Sequence, residues 1–163
     1  MKGVVIMPRK GPVKKREILP DPHYQSVLVA RFINKVLLRG EKELAQKIVY
    51  SALEEIKKKT KKDPLEVFEK AISNASPLLE VKSRRIGGAN YQIPYKVEGD
   101  RRSTLAMRWI IQAAREKKGG PLYKKLAKEI MEAASGTGVA VKKKEDTHRM
   151  AEANRAFAHY AKF

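Results

Sequence analysis

Glu80-Val81-Lys82-Ser83-Arg84-Arg85-Ile86-Gly87-Gly88-Ala89-Asn90-Tyr91-Gln92-Ile93-Pro94-Tyr95-Lys96-Val97 is the stretch on which the fold turns. Leu79, Val81 and Ser83 alternate with Glu80, Lys82 and Arg84, and Tyr91, Ile93, Tyr95 and Val97 alternate with Gln92, Pro94 and Lys96. Successive side chains of a strand point to opposite faces, so each run reads as a strand. Gly87-Gly88 followed by Asn90 tolerates positive φ and lets the two runs fold back on each other. Pro94 has no N–H for a central ladder, which favours a free-standing ribbon or an edge pair. With Arg84 and Arg85 beside the turn and Tyr91 just after it, the arm is expected to carry charge and a stacking face outward, as suits a polyanion.

Outward from this ribbon the periodicity changes to that of helices. After Pro20-Asp21-Pro22, the residues Val29, Phe32, Ile33, Val36 and Leu37 share one face and Gly40 closes the run, leaving Arg31, Asn34 and Lys35 opposite. A second helix sets Ala45, Ile48, Val49, Ala52, Leu53 and Ile56 against a mixed-charge face. Asp63-Pro64-Leu65-Glu66 places an acidic cap before proline at the first helical position. The third helix then packs Leu65, Phe68, Ala71, Ile72 and Ala75, and Pro77 sends the chain into the ribbon.

Beyond the ribbon, Asp100 or Ser103 is the expected cap of a fourth helix. Its apolar side is Ala106, Trp109, Ile110 and Ala113, while Arg101, Arg108, Gln112 and Arg115 recur at intervals of seven, four and three along a separate stripe. Gly119-Gly120-Pro121 breaks it, Leu122, Leu126, Ala127, Ile130 and Ala133 build a fifth, and Gly136-Thr137-Gly138 ends that one. The segment from Val139 to Phe163 is rich in alanine and lacks an internal Gly or Pro, so one long final helix is expected. It begins with Lys142, Lys143 and Lys144 and continues past Arg149 and Arg155. Phe32, Phe68 and Trp109 read as core; Tyr91 and Tyr95 could stack on an exposed base or pack on the helical body.

The 163 residues and their 42% apolar share suit a single core. Domain organisation is read as a basic N-terminal arm over 1–19, with Arg9, Lys10, Lys14, Lys15 and Arg16, followed by one helical domain over 20–163 with its ribbon at about 78–97. The arm reads better as a nucleic-acid contact than as a frayed terminus. Thirty-six Lys and Arg against 18 Asp and Glu leave a formal charge of +18, which calls for an anionic partner. No run approaches the roughly 18 to 20 apolar residues of a membrane span, and Met1 to Met7 holds too short an apolar stretch for a secretory signal. The absence of cysteine excludes a disulfide scaffold and a thiol nucleophile.

Catalytic and metal-binding patterns are missing. His23, His148 and His159 are too scattered for a metal site. Asp146 and His148 have no serine nucleophile motif beside them and read as solvated helix surface. Gly136-Thr137-Gly138 with Lys142 departs from the spacing of a phosphate loop and has no preceding strand. No enzyme, cofactor, metal or small-molecule substrate is expected.

Five blocks in order resemble the bacterial form of the small-subunit ribosomal protein seven family: Arg31-Phe32-Ile33-Asn34-Lys35, Lys62-Asp63-Pro64-Leu65-Glu66-Val67-Phe68, Glu80 through Pro94, Ala106-Met107-Arg108-Trp109, and Ala140 through Tyr160. The resemblance runs from Ile18 to Tyr160. It implies a mainly α fold, a bundle of six helices with a two-stranded β-ribbon protruding between helices three and four, in agreement with the periodicity. It further implies a cytoplasmic structural protein of the small ribosomal subunit that binds small-subunit ribosomal RNA directly and nucleates assembly of the head. The ribbon and C-terminal helix would lie near messenger RNA and exit-site transfer RNA, with small-subunit ribosomal proteins nine and eleven as neighbours; in some bacteria family members repress their own messenger.

The expected RNA-binding set joins the arm residues to Arg31, Asn34 and Lys35, to Arg84, Arg85, Gly87, Gly88 and Tyr91 of the ribbon, to Arg101, Arg102, Arg108 and Arg115, and to Lys142, Lys143, Lys144, Arg149 and Arg155. Family members usually begin near Met7-Pro8-Arg9-Lys10, so Met1 to Ile6 reads as an extension or an upstream start without a role. Glu41 replaces a common lysine, which weakens RNA contact at that turn, and the ending Ala161-Lys162-Phe163 carries over no function of longer tails. The residues taken without the resemblance leave a rival, a DNA-bending architectural protein with a basic ribbon.

Overall fold

A computed structural model describes residues 17–162, with the side chain of Lys162 left aside. The described residues form six α-helices and one antiparallel hairpin, in the order α1 (Val27–Val36), α2 (Lys42–Thr60), α3 (Pro64–Ala75), β1 (Leu79–Ile86), β2 (Ala89–Lys96), α4 (Asp100–Glu116), α5 (Leu122–Ala134) and α6 (Val139–Ala153), followed by a 3₁₀ segment, Arg155–Lys162. The mainly α class with a ribbon between the third and fourth helices is thus as expected. Two compact units divide at Phe32 and Ile33, inside α1.

In the first unit, Asp21 is buried and its Oδ2 accepts the backbone N–H groups of His23 and Tyr24 at 3.1 and 3.0 Å. This side-chain turn replaces solvent for a carboxylate that is otherwise costly to bury. Val29 and Phe32 are buried on α1.

The second unit is organised around α5, which packs on α2, α3, α4 and α6. Its buried face, Leu126, Ala127, Ile130 and Ala133, follows helical spacing, and the alanines let neighbouring backbones approach. The core is completed by Val49, Leu53 and Ile56 from α2, Phe68 and Ile72 from α3, and Met107, Ile110 and Ile111 from α4. Asp63 caps α3 as expected, its Oδ1 accepting Leu65 N–H at 3.0 Å, with Pro64 in the first turn.

The hairpin pairs Leu79 with Lys96 through Ile86 with Ala89, and Gly87 and Gly88 form the two-residue turn at φ +57° and +90°. Both values lie in the left-handed region, the requirement of the tight turn whose twist suits a hairpin. Pro94 faces Val81 across a two-stranded ladder. The ribbon is not free along its length: β2 packs on the 3₁₀ segment, α6 packs on both strands, and Ile93 and Val97 are buried.

Four expectations are corrected. The final helix is not continuous to Phe163: α6 stops at Ala153, where Asn154 turns its Nδ2 onto the Met150 carbonyl at 2.8 Å, and the tighter 3₁₀ winding brings Phe157 and Tyr160 to the ribbon. Tertiary contact overrides alanine's helix propensity there. Neither Asp100 nor Ser103 caps α4; Gly99 precedes the helix at φ +55° without a side-chain cap, and Ser103 Oγ donates to the Asp100 carbonyl at 3.1 Å. Trp109 is half-buried and Met107 is the fully buried residue, because the apolar arc of α4 is centred on Ala106, Met107, Ile110, Ala113 and Ala114. His148 is not solvated helix surface: its Nε2 accepts Leu78 N–H at 2.9 Å.

Candidate nucleic-acid interface

The cations expected to bind RNA divide into those held by the protein and those left for a ligand. On α4, Arg101 Nε and Nη2 both donate to Glu80 Oε2, at 3.2 and 3.0 Å, and Lys82 Nζ meets Glu80 Oε1 at 2.8 Å. Partial burial opposes the charge on Glu80, yet the hydrogen bonds from Lys82 and Arg101 prevail and hold its carboxyl below the usual carboxylate range. Arg101 therefore fastens the start of α4 to the ribbon. Arg102 is half-buried, with its Nε sealed from solvent.

Further along the stripe, Arg115 Nη2 donates to the Val36 carbonyl at 3.1 Å, satisfying an orphan group at the end of α1. Arg108 is exposed and has no hydrogen-bond or ion-pair partner among the described residues. Lys35, Arg108, Ile111, Gln112, Arg115 and Glu116 line a shallow groove of about 300 Å³. Lys143 of α6 reaches this edge, its Nζ donating to Gln112 Oε1 at 2.8 Å, while Gln112 Nε2 donates to Glu116 at 2.8 Å. Four cationic side chains thus converge from α1, α4 and α6 with one carboxylate among them. Such a surface can hold phosphodiester oxygens by charge-assisted hydrogen bonds.

The lysine run of α6 is split by helical geometry. Lys142 is exposed, Lys143 takes Gln112, and Lys144 Nζ donates to the Asn74 carbonyl at 2.6 Å. Asn74 Nδ2 in turn bonds the carbonyls of Ala133 and Ala134 at 2.9 and 3.0 Å, tying α3 to the end of α5. Arg149 is exposed beside Asp146 at 3.5 Å, and Arg155 is exposed at the start of the 3₁₀ segment.

What aims α6 is a carboxylate that the sequence reading passed over. Glu129 is fully buried on α5; its Oε1 accepts Ala140 N–H in the first turn of α6 at 2.9 Å, and its Oε2 lies 2.6 Å from Lys117 Nζ. Lys117 also meets Glu132 at 2.7 Å. Burial disfavours the ammonium, but its bonds to Glu129 and Glu132 outweigh this and raise its pKa above the ordinary lysine value. An acid in the apolar register Leu126, Glu129, Ile130, Ala133 was the available signal.

On the ribbon, Arg85 is exposed opposite Asn90 without a partner among the described residues. Arg84 and Tyr91, paired across the strands, do not project a stacking face outward as expected. Tyr91 packs its ring 5.0 Å from that of Phe157 and 6.0 Å from that of Tyr160, and Arg84 Nη1 donates to the Tyr160 carbonyl at 3.2 Å. Of the two roles open to Tyr91, packing is the one adopted here. Tyr95 lies under Lys82 Nζ, 5.1 Å from its ring centre. Gly87 and Gly88 serve the turn itself. Arg31 is half-buried and Asn34 exposed on α1; Arg9, Lys10, Lys14, Lys15 and Arg16 lie outside the described residues.

Comparison with known proteins places this architecture. The pattern of the family described as Ribosomal protein S7p/S5e matches residues 8–155. The chain is 63% identical over 154 residues to the small ribosomal subunit protein uS7 of Pelotomaculum thermopropionicum, covering 94% of this chain and 99% of the relative. It is 64% identical over 155 residues to that of Caldicellulosiruptor saccharolyticus, with the same coverage, and 61% identical over 152 residues to that of Thermotoga neapolitana, covering 93% and 98%. The chain therefore belongs to the ribosomal protein S7p/S5e family.

Proposed function

We infer that this chain, a structural protein of the small ribosomal subunit rather than an enzyme, binds small-subunit ribosomal RNA through the groove formed by Lys35, Arg108, Arg115 and Lys143 and the neighbouring Lys142. The observation that carries the reading is Arg108, unpaired among the described residues and set in a convergent cationic groove, on a chain of formal charge +18. Phosphate contacts supply affinity and the shape of the folded RNA supplies most of the specificity. The place of action is the cytoplasmic ribosome. In this reading the bound protein nucleates assembly of the subunit head. The tip residues Arg84, Arg85, Gly87, Gly88 and Tyr91, together with Lys142, Lys144, Arg149 and Arg155, lie close to messenger RNA and exit-site transfer RNA, with small-subunit ribosomal proteins nine and eleven adjacent. Arg31, Asn34, Arg101, Arg102 and the arm residues Arg9, Lys10, Lys14, Lys15 and Arg16 extend the RNA contact. The same surface would serve repression of a messenger.

Filter binding in matched salt tests the central step. Folded small-subunit ribosomal RNA is expected to bind more tightly than duplex DNA of equal length; equal or tighter DNA binding would return the architectural rival.

A further inference from the structure

Beyond Arg155, the 3₁₀ segment is the element that the RNA-binding reading leaves unexplained. It begins one residue after the Asn154 break, and runs of this tighter helix beyond three or four residues are uncommon. None of its described side chains is fully buried: Phe157, Tyr160 and Ala161 are half-buried, and Arg155, Ala156, Ala158 and His159 are exposed. It packs on β2 and on the end of α6, and from β1 Arg84 reaches it. The matched family pattern stops at Arg155, where the segment starts. Yet its two aromatic rings cover Tyr91, and its Tyr160 carbonyl takes a hydrogen bond from Arg84, two ribbon side chains suited to stack on a base and to bind a phosphate.

We propose that the segment from Arg155 to Lys162 is a latch: in the free protein it covers Tyr91 and holds Arg84 through the Tyr160 carbonyl, and RNA releases it by competing for the same ring and the same guanidinium. The proposal rests on the RNA-binding reading and adds its regulation. The chemistry of the competition is matched on both sides. An unstacked base can replace the rings of Phe157 and Tyr160 against Tyr91, and a phosphate oxygen can replace the Tyr160 carbonyl on Arg84 with a stronger, charge-assisted bond. The hinge is Asn154, whose side chain already satisfies the Met150 carbonyl, so α6 keeps its end when the latch leaves. A held latch lowers the apparent affinity by the fraction of molecules in which the ribbon is covered, and weakening it removes that loss.

The test uses the full chain with Phe157→Ala and Tyr160→Ala combined, Phe157→Leu as a milder variant that keeps an apolar side chain, and Tyr91→Ala. Affinities are measured for small-subunit ribosomal RNA and for a single-stranded uridylate oligonucleotide, with thermal unfolding to verify the fold and amide exchange across residues 155–162. The double variant should bind both RNAs at least about two- to tenfold more tightly, the range that one aromatic contact supplies, and Phe157→Leu should shift the same way by less. Tyr91→Ala should weaken binding, and the segment's amides in the unaltered protein should lose protection when RNA binds. Unchanged or weaker binding by a folded double variant, or a segment that stays protected in the complex, would make it a brace of the ribbon and overturn the latch. Should ribosomal RNA show no preference over DNA, the RNA-binding reading fails by itself, and the uridylate and exchange results still decide the latch.

Discussion

His148 holds the base of the ribbon by an acceptor that protonation removes. Its Nε2 takes the Leu78 N–H, which requires the neutral ring with its proton on Nδ1. Burial, assisted by the charge of Lys144, lowers its pKa below 6.5. The folded state thus binds the proton less readily than the unfolded chain, so this stability is present above the ordinary histidine pKa and is lost as pH falls through the lowered folded value. Urea unfolding of the intact protein and of His148→Ala, followed from about pH 7.5 to about pH 5, is expected to converge as acid removes the difference, which should be about 0.5 to 1.5 kcal/mol at the neutral end. A constant gap across that range would show that the bond carries no proton linkage. Gly138 is the second residue whose identity geometry dictates. At φ +96°, an added Cβ would lie 3.1 Å from Glu132 Cβ and 3.2 Å from Glu129 Oε1. Gly138→Ala is therefore expected to cost about 1 to 3 kcal/mol in denaturant unfolding, because it presses on the carboxylate that caps α6.

At the scale of the element, α4 shows how a stripe of like charges becomes three different roles. Arg101 joins the ribbon through Glu80, Arg115 closes the end of α1, and Arg108 faces outward. Arg115→Ala should lower unfolding stability by about 1 kcal/mol as well as weaken RNA binding, whereas Arg108→Ala should leave the melting temperature unchanged and reduce RNA affinity alone. Differential scanning calorimetry beside filter binding separates them, and equal stability losses would erase the distinction. The sequence made the stripe visible because helical spacing aligns its members. It could not assign the roles, since Glu80 and the Val36 carbonyl approach from elements distant along the chain. Local chemistry was legible where it was self-contained: Asp63-Pro64 announces the start of α3, and Gly87-Gly88 announces the hairpin turn. The end of α6 was not, because nothing within the alanine-rich run after Asn154 says that Phe157 and Tyr160 have a ring waiting on β2. Asp100 and Ser103 misled for a related reason: each is a good cap by type, and Gly99 enters the helix with a backbone conformation that neither would adopt readily.

For the molecule as a whole, a formal charge of +18 is a repulsion that an anionic partner relieves, and family membership makes that partner ribosomal RNA. The described acids do not spread evenly against this charge. Glu80 holds the ribbon to α4 by ion pairs with Arg101 and Lys82, and Glu129 and Glu132 hold the loop before α5 by ion pairs with Lys117, so structural pairing consumes some cations while Arg85, Arg108 and Lys142 remain outward. The salt dependence of RNA affinity reads this division directly, because each phosphate contact contributes a fixed share of the slope. The deciding measurement compares the intact protein with the combined Arg108→Ala and Lys142→Ala variant across a salt series on small-subunit ribosomal RNA. With unchanged thermal unfolding, the magnitude of the slope should fall by roughly 1.4 to 1.8, two contacts at about 0.7 to 0.9 each. An identical slope in a folded variant would contradict the account and move the RNA-binding surface elsewhere.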